Sequence, residues 1–311
     1  MVSHYEGILS GYPRLRRRIG KISDYIMLMR PLTLVAPALA GFFGVLIQLA
    51  SYGRLDLFLS NWNVIIYVAV TMLLAQGAGQ AINQATDVEI DMINKPYRPI
   101  PSGRITREEA LGLGYLILIV SLVRSFTINT TFGLLMSLIL FFAVFYNLKP
   151  IRAKGYFGLN LVWMSISRGL LPFLASWSVF GDITDLKPWV LGLIATLWCL
   201  SWQSTKDFPD IEGDRRYGIQ TLPVRLGERK AKRFMISISP VPFVTLLLCV
   251  YYKILEINYL LLLIILFIAV MNAFSINKAS KITENTVAWV GFYAGLGLIY
   301  LLAFISEVLP F

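Results

Sequence analysis

Two short runs of acids carry the residue types and spacing that could do chemistry. One reads NQATDVEID (Asn83 to Asp91) and the other KDFPDIEGD (Lys206 to Asp214), and together they hold seven of the 18 acids in the chain. On a helix, residues four apart share a face, so Asn83, Asp87 and Asp91 form one polar stripe. Glu89 lies roughly 200° around the helix from Asp87 and falls off that stripe. Asp207, Asp210 and Asp214 follow i, i+3, i+7 and also share a face, with Glu212 off it. Each run thus offers a line of oxygen ligands with a bystander Glu. Carboxylates and an Asn amide oxygen suit a hard cation, and Mg²⁺ is the natural candidate. Mg²⁺ takes one or two carboxylates and fills its shell with phosphate oxygens and water, so two facing acidic stripes would bind a diphosphate through it. Lys95 and Arg98 follow the first motif, Lys149, Arg152 and Lys154 lie in the loop between the fourth and fifth expected spans, and all five are suited to clamping the remaining phosphate charge.

The elements that must position these acids are membrane helices. The chain has 311 residues, of which 57% are hydrophobic and 15% charged, and its mean hydropathy is +0.67. A soluble globular domain does not have this composition. Apolar runs of roughly 20 residues recur along its length, each long enough to cross a hydrocarbon core of about 30 Å. Nine spans are expected, near 31–51, 63–86, 108–126, 129–147, 157–180, 187–206, 233–254, 257–276 and 286–308. The short turn from Thr127 to Thr130 predicts an antiparallel hairpin between the third and fourth. The first 25 residues are polar and basic, and the run Pro31 to Ser51 is too long for a signal h-region, so it is expected to remain as the first span. The organisation is then a basic tail over 1–30 and one membrane domain over 31–311, with one acidic motif in each half (31–147 and 157–308).

The basic residues set the expected orientation. With the N-terminus in the cytoplasm, 23 of the 28 Lys and Arg fall on the cytoplasmic side, against Arg54, Lys187 and Lys253 on the other. This is a strong positive-inside asymmetry, and it accounts for most of the net charge of +10 without nucleic acid. Both acidic motifs then sit at cytoplasmic helix ends. Cys199 and Cys249 lie inside apolar runs, which predicts core thiols, and the single His4 lies in the tail, so no His-based centre is expected in the membrane. Arg168 lies in the middle of an expected span and needs a partner, either an acid of one of the motifs or the substrate.

The two motifs echo each other: DVEID followed by P-S-G, and DIEGD followed by P-V-R-L-G. A duplicated four-helix unit plus one extra helix would produce this; so would coincidence over so short a match.

Both aspartate motifs in order, the loop KPYRPIPSG (Lys95 to Gly103), YNLKPIRAKG (Tyr146 to Gly155), the RPLT at Arg30 and the stretch from Lys206 to Gly227 resemble the UbiA-type intramembrane prenyltransferases. The resemblance covers nearly the whole chain. It implies an all-α polytopic bundle of about nine helices around a central cavity open sideways to lipid. It implies Mg²⁺ held by Asn83, Asp87, Asp91, Asp207, Asp210 and Asp214, with Asp87, Asp91, Asp210 and Asp214 catalytic. Lys95 and Arg98 match positions that contact a prenyl diphosphate, and Tyr146, Lys149, Lys154, Arg30 and Lys206 complete that set. One departure is Gln84, where many members have Asp. The implied partners are a prenyl diphosphate, a lipophilic acceptor and the bilayer. The acceptor stays open among quinone-precursor aromatics, chlorophyllide-type propionates and the glycerol-phosphate backbone of ether lipids. The competing class is a cation-coupled transporter, which needs acids near mid-bilayer or at both faces; here they gather at one.

Overall fold

The structure is a computed structural model that describes residues 13–278 and 287–309. The expectations for His4, for the first twelve residues of the tail and for Lys281 lie outside the described residues. Among the described residues the chain is helical, without strands. In chain order the helices are α1 (Pro13–Leu28), α2 (Val35–Ser51), α3 (Leu57–Thr86), α4 (Val88–Asn94), α5 (Arg107–Phe126), α6 (Thr130–Asn147), α7 (Leu159–Arg168), α8 (Leu170–Trp177), α9 (Leu186–Trp202), α10 (Ile211–Arg216), α11 (Leu222–Leu226), α12 (Glu228–Ile238), α13 (Val241–Tyr251), α14 (Ile265–Lys278) and α15 (Val287–Val308).

Seven helical stretches of the described chain are long and apolar enough to cross a bilayer. They coincide with seven of the nine expected spans. The fifth and sixth differ for local reasons. The fifth is broken into α7 and α8 at Gly169. A Cβ there would stand 2.3 Å from the backbone nitrogen of Thr196, so α9 approaches the break more closely than any side chain allows. Pro172 falls in the first turn of α8, where its missing N–H costs nothing. The sixth span ends early, with α9 stopping at Trp202 and a 3₁₀ helix taking over from Gln203 to Asp210. Pro209 keeps the segment from returning to α-helix, since it lacks the N–H that would bond to Thr205 and its ring disfavours α-helical backbone at Phe208.

The predicted hairpin is present. Asn129 caps α6, its Oδ1 accepting from the Phe132 backbone N–H at 2.8 Å. At the start of α5, Thr106 and Glu109 form a reciprocal capping box. The core gathers large side chains between the halves, with Phe173 stacked on Tyr300 at 4.1 Å and Trp198, Trp202 and Phe292 buried beside them. Around the outside run exposed apolar side chains such as Leu59 (80%), Phe267 (69%) and Val123 (60%). In water such a surface would aggregate; in a bilayer it is the lipid-facing belt.

Candidate active site

The first motif sits where α3 meets α4. Asp87 is the joint, with φ −109° and ψ 19°. The hydrogen bonds nonetheless keep the four-residue step: the backbone N–H of Asp87 donates to Asn83, that of Asp91 to Asp87 and that of Lys95 to Asp91. The predicted stripe is therefore real and extends one turn further, to Lys95. In the second motif the backbone differs from the expected α-helix but the outcome is the same. A 3₁₀ helix has three residues per turn, so Asp207 and Asp210 eclipse, and one turn of α10 then brings Asp214 to that side.

The two motifs face each other across one cavity of about 100 Å³. Asn83, Asp87, Asp91, Asp207, Asp210 and Asp214 all line it, as do Arg30, Lys95, Arg98, Tyr146, Lys154 and Lys206. Lys149 does not; it is exposed on the loop after α6. Glu89 and Glu212 are exposed too, and Glu89 pairs with Arg107 at 3.6 Å on the surface. Gln84 is buried away from the cavity, where its Nε2 donates to the Leu28 carbonyl at 2.7 Å. At this position the chain uses the side chain to tie down the end of α1.

Two strained backbones aim basic residues inward. Arg30 and Arg152 adopt left-handed φ values of 54° and 46°, and each begins a 3₁₀ turn. The first places Arg30 itself on the cavity and the second places Lys154 there. Such conformations cost about 1–3 kcal/mol each and are held by their surroundings. At Arg30 the Thr33 hydroxyl and backbone N–H both donate to its carbonyl, at 2.8 Å each.

The charges pair across the cavity. Lys95, on the first motif, donates to Asp210 of the second at 2.6 Å. Arg98 donates to Asp91 at 2.7 Å, Lys206 lies 3.0 Å from Asp207, and Lys154 donates to Asp87. Asn83 donates its amide N–H groups to Asp87 and to Asn147, at 2.8 and 2.7 Å, which leaves its carbonyl oxygen for a cation. Lys206 also donates to the Tyr146 hydroxyl at 3.1 Å. Burial pushes the Asp214 carboxyl up to about 8, with the charges of Asp210 and Asp207 adding to it. Burial also raises Asp91 and Asp207, against the opposing pull of Arg98 and Lys206 respectively.

Sequence reasoning missed the clamp between the motifs. Asn94 at the end of α4 donates to the Asp210 carbonyl at 3.0 Å and accepts from the Gly213 N–H at 3.1 Å. That N–H is among the first four of α10, which have no partner within their own helix. A short helix is thus capped from across the site. The signal in the sequence was Gly213 inside an acidic run: a Cβ there would lie 2.5 Å from Asn94 Nδ2.

The donor set fits a hard divalent cation. It consists of five carboxylates and an amide oxygen, with neither His nor Cys on the cavity wall. Among the described residues no three acids converge into a ready-made cage. Mg²⁺ does not need one, because phosphate and water complete its shell.

Beyond the charged cavity lies an apolar one of about 70 Å³, lined by residues such as Ala36, Ala40, Met72, Met136 and Leu296. The two share Gln76, Ala143, Met164, Arg168 and Tyr293 as walls. A molecule with an anionic head and a hydrocarbon tail matches the pair.

Comparison with known proteins yields matches in family and in fold. The model of the UbiA prenyltransferase family matches residues 34–296. The digeranylgeranylglyceryl phosphate synthase of Methanosphaera stadtmanae is 31% identical over 286 residues, covering 88% of this chain and 99% of that protein. The synthase of the same name from Saccharolobus solfataricus is 29% identical and covers 93% and 98%. A solved structure described as giving insights into digeranylgeranylglyceryl phosphate synthase in membranes superposes with a TM-score of 0.65 at 27% identity, covering 93% of this chain and all of that one. A UbiA homologue from Archaeoglobus fulgidus bound to GPP and Mg²⁺ shares the fold, with a TM-score of 0.66 at 17% identity over 92% of this chain and all of that one. The family match over most of the chain, joined to paired aspartate motifs across a membrane-embedded cavity, makes this protein a member of the UbiA prenyltransferase family, an integral membrane enzyme.

Proposed function

We propose that the enzyme transfers a prenyl group from a prenyl diphosphate to the free hydroxyl of a glycerol-phosphate ether-lipid precursor, and that it requires Mg²⁺. The observation that carries this reading is the pairing of an acid-and-base-lined cavity with an apolar cavity through a shared wall. The names of the relatives point to the acceptor class.

The residues divide the work by charge. Asn83, Asp87, Asp91, Asp207, Asp210 and Asp214 would hold the metal, which supplies charge stabilisation for the leaving diphosphate. Lys95, Arg98, Lys154 and Lys206 are each paired with one of those carboxylates. With metal and diphosphate bound, those carboxylates would hold the metal and the four cations would meet phosphate oxygens, so little charge would be left uncompensated. Arg30 and Tyr146 line the same wall. Lys149 would act only in long-range attraction of the anionic donor, from its exposed loop.

The transfer breaks the bond between prenyl C1 and the diphosphate oxygen, with both electrons leaving on diphosphate. The acceptor oxygen forms the new bond to C1, and its proton goes to the released diphosphate. The apolar cavity keeps water from the cationic carbon, which water would otherwise quench. The distribution of Lys and Arg supports placing the N-terminus and the site at the cytoplasmic face of the cell membrane.

The test is Mg²⁺-dependent diphosphate release by purified protein in lipid nanodiscs, with a labelled prenyl diphosphate and a panel of glycerol-phosphate and phenolic acceptors. Turnover with the former and loss of activity in Asp87→Ala and Asp210→Ala are expected. Activity that survives either substitution overturns the site assignment, and turnover restricted to phenolic acceptors overturns the acceptor.

A further inference from the structure

Arg124 and Arg168 each fall inside a stretch that the sequence reads as an apolar span, and the fold treats them differently. Arg124 on α5 has partners within the protein: Nε donates to Thr71 Oγ1 and an Nη to the Tyr67 carbonyl, each at 3.1 Å, and the guanidinium lies 3.5 Å from the centre of the Tyr67 ring. Arg168 ends α7 at the Gly169 break. Its Nη1 is buried and has no hydrogen-bond partner. Its nearest aromatic ring, Tyr293, is 5.9 Å away by centroid.

The acids that the sequence offered Arg168 are taken. Asp87, Asp91, Asp207 and Asp210 pair with Lys154, Arg98, Lys206 and Lys95, and Asp214 accepts from the Thr221 hydroxyl at 3.3 Å. Among the described residues no carboxylate lies within ion-pair distance of Arg168. A guanidinium in a membrane interior calls for an anion, and a fork of N–H donors matches phosphate in particular. The anion must therefore arrive with a substrate.

Position decides which substrate. Arg168 lies on the wall shared by the charged and apolar cavities, where on the reading above the head of the donor would end and its tail begin. Lys95, Arg98, Lys154 and Lys206 line the charged cavity alone and would serve the diphosphate. At the boundary a bare positive charge would oppose the allylic cation forming at C1. An anion brought by the acceptor removes that opposition and fixes the acceptor hydroxyl beside C1. We propose that Arg168 binds the phosphate of the acceptor and so selects acceptors with an anionic head; this rests on the glycerol-phosphate reading above.

The experiment compares wild type, Arg168→Gln and Arg168→Lys in nanodiscs. It measures acceptor KM, kcat, and the equilibrium affinity for a non-hydrolysable thio-analogue of the prenyl diphosphate. Loss of a charge-assisted contact predicts that Arg168→Gln raises the acceptor KM by about ten- to a hundredfold. Donor-analogue affinity stays within about twofold and Arg168→Lys recovers part of the loss. A second measurement needs no variant: wild type binds the phosphate-headed acceptor about tenfold or more tightly than the same lipid ending in an alcohol. Equal affinity for the two lipids, an unchanged acceptor KM in Arg168→Gln, or an equal loss of donor affinity each overturns the inference. Wild type that fails to turn over the glycerol-phosphate acceptor refutes the underlying reading instead, so the two failures are distinct.

Discussion

Asn94 offers the sharpest test of how the two motifs are held together. Its side chain makes two hydrogen bonds to the second motif, to the Asp210 carbonyl and from the Gly213 N–H. Asn94→Ala removes both. At about 1 kcal/mol for each bond, with up to another for the groups left unpaired, the aligned arrangement loses about 2–3 kcal/mol. That corresponds to about a 30- to 150-fold fall in kcat/KM if misaligned motifs cannot share a substrate. Gly213→Ala should act through the same contact. Its Cβ would lie 2.5 Å from Asn94 Nδ2 and 3.0 Å from Ile90 Cγ2, so the amide must leave. The double variant then discriminates. With Asn94 already truncated, only Ile90 Cγ2 still crowds the new Cβ and need give by a few tenths of an ångström, so the pair should be little worse than Asn94→Ala alone. The assay is diphosphate release at subsaturating donor for all four proteins. Fully additive losses, or an Asn94→Ala enzyme within about threefold of wild type, would refute the clamp.

Other expectations concern single groups. Asp214 titrates near 8 in the folded protein, well above an ordinary carboxylate, so between about pH 4 and pH 8 the metal-free fold holds a proton that the unfolded chain has lost. Metal-free stability therefore falls as pH rises through that window, while apparent Mg²⁺ affinity climbs towards pH 8 as the proton becomes easier to displace. Thermal-shift titrations at pH 6, 7 and 8 check both, and pH-independent Mg²⁺ affinity would contradict the assignment. Gly169→Ala should lower thermal stability by about 1–3 kcal/mol or more, because the obstructing atoms belong to the backbone of Thr196 and cannot rotate aside; an unchanged Tm in detergent would show that the α7–α9 approach is looser. Glu89→Gln and Glu212→Gln should leave kcat/KM within about twofold, the ordinary outcome for exposed positions. Lys154→Ala should raise donor KM by about tenfold or more as a charge-assisted contact is lost, and Lys149→Ala far less. Equal effects at the two lysines would mean that the loop after α6 rearranges on binding.

Much of this enzyme was readable from its amino-acid order, because the bilayer simplifies the problem. Apolar runs must become helices, since no other local structure satisfies the backbone in hydrocarbon. Helical period alone then sorted Asp87 and Asp91 from Glu89, and Asp210 and Asp214 from Glu212, and the exposure of both Glu residues agrees. What spacing could not supply was partnership. That Lys95 pairs with Asp210, that Asn94 caps a helix more than a hundred positions away, and that Lys154 enters the cavity while Lys149 stays outside all depend on how distant segments meet. The break at Gly169 depends on Thr196, and the unmatched guanidinium of Arg168 was visible only once every nearby acid had been seen to have another partner. Local sequence sets which way a side chain points along its own helix; which charge it finds there is decided by packing, because ion pairing and desolvation act across space and carry no period.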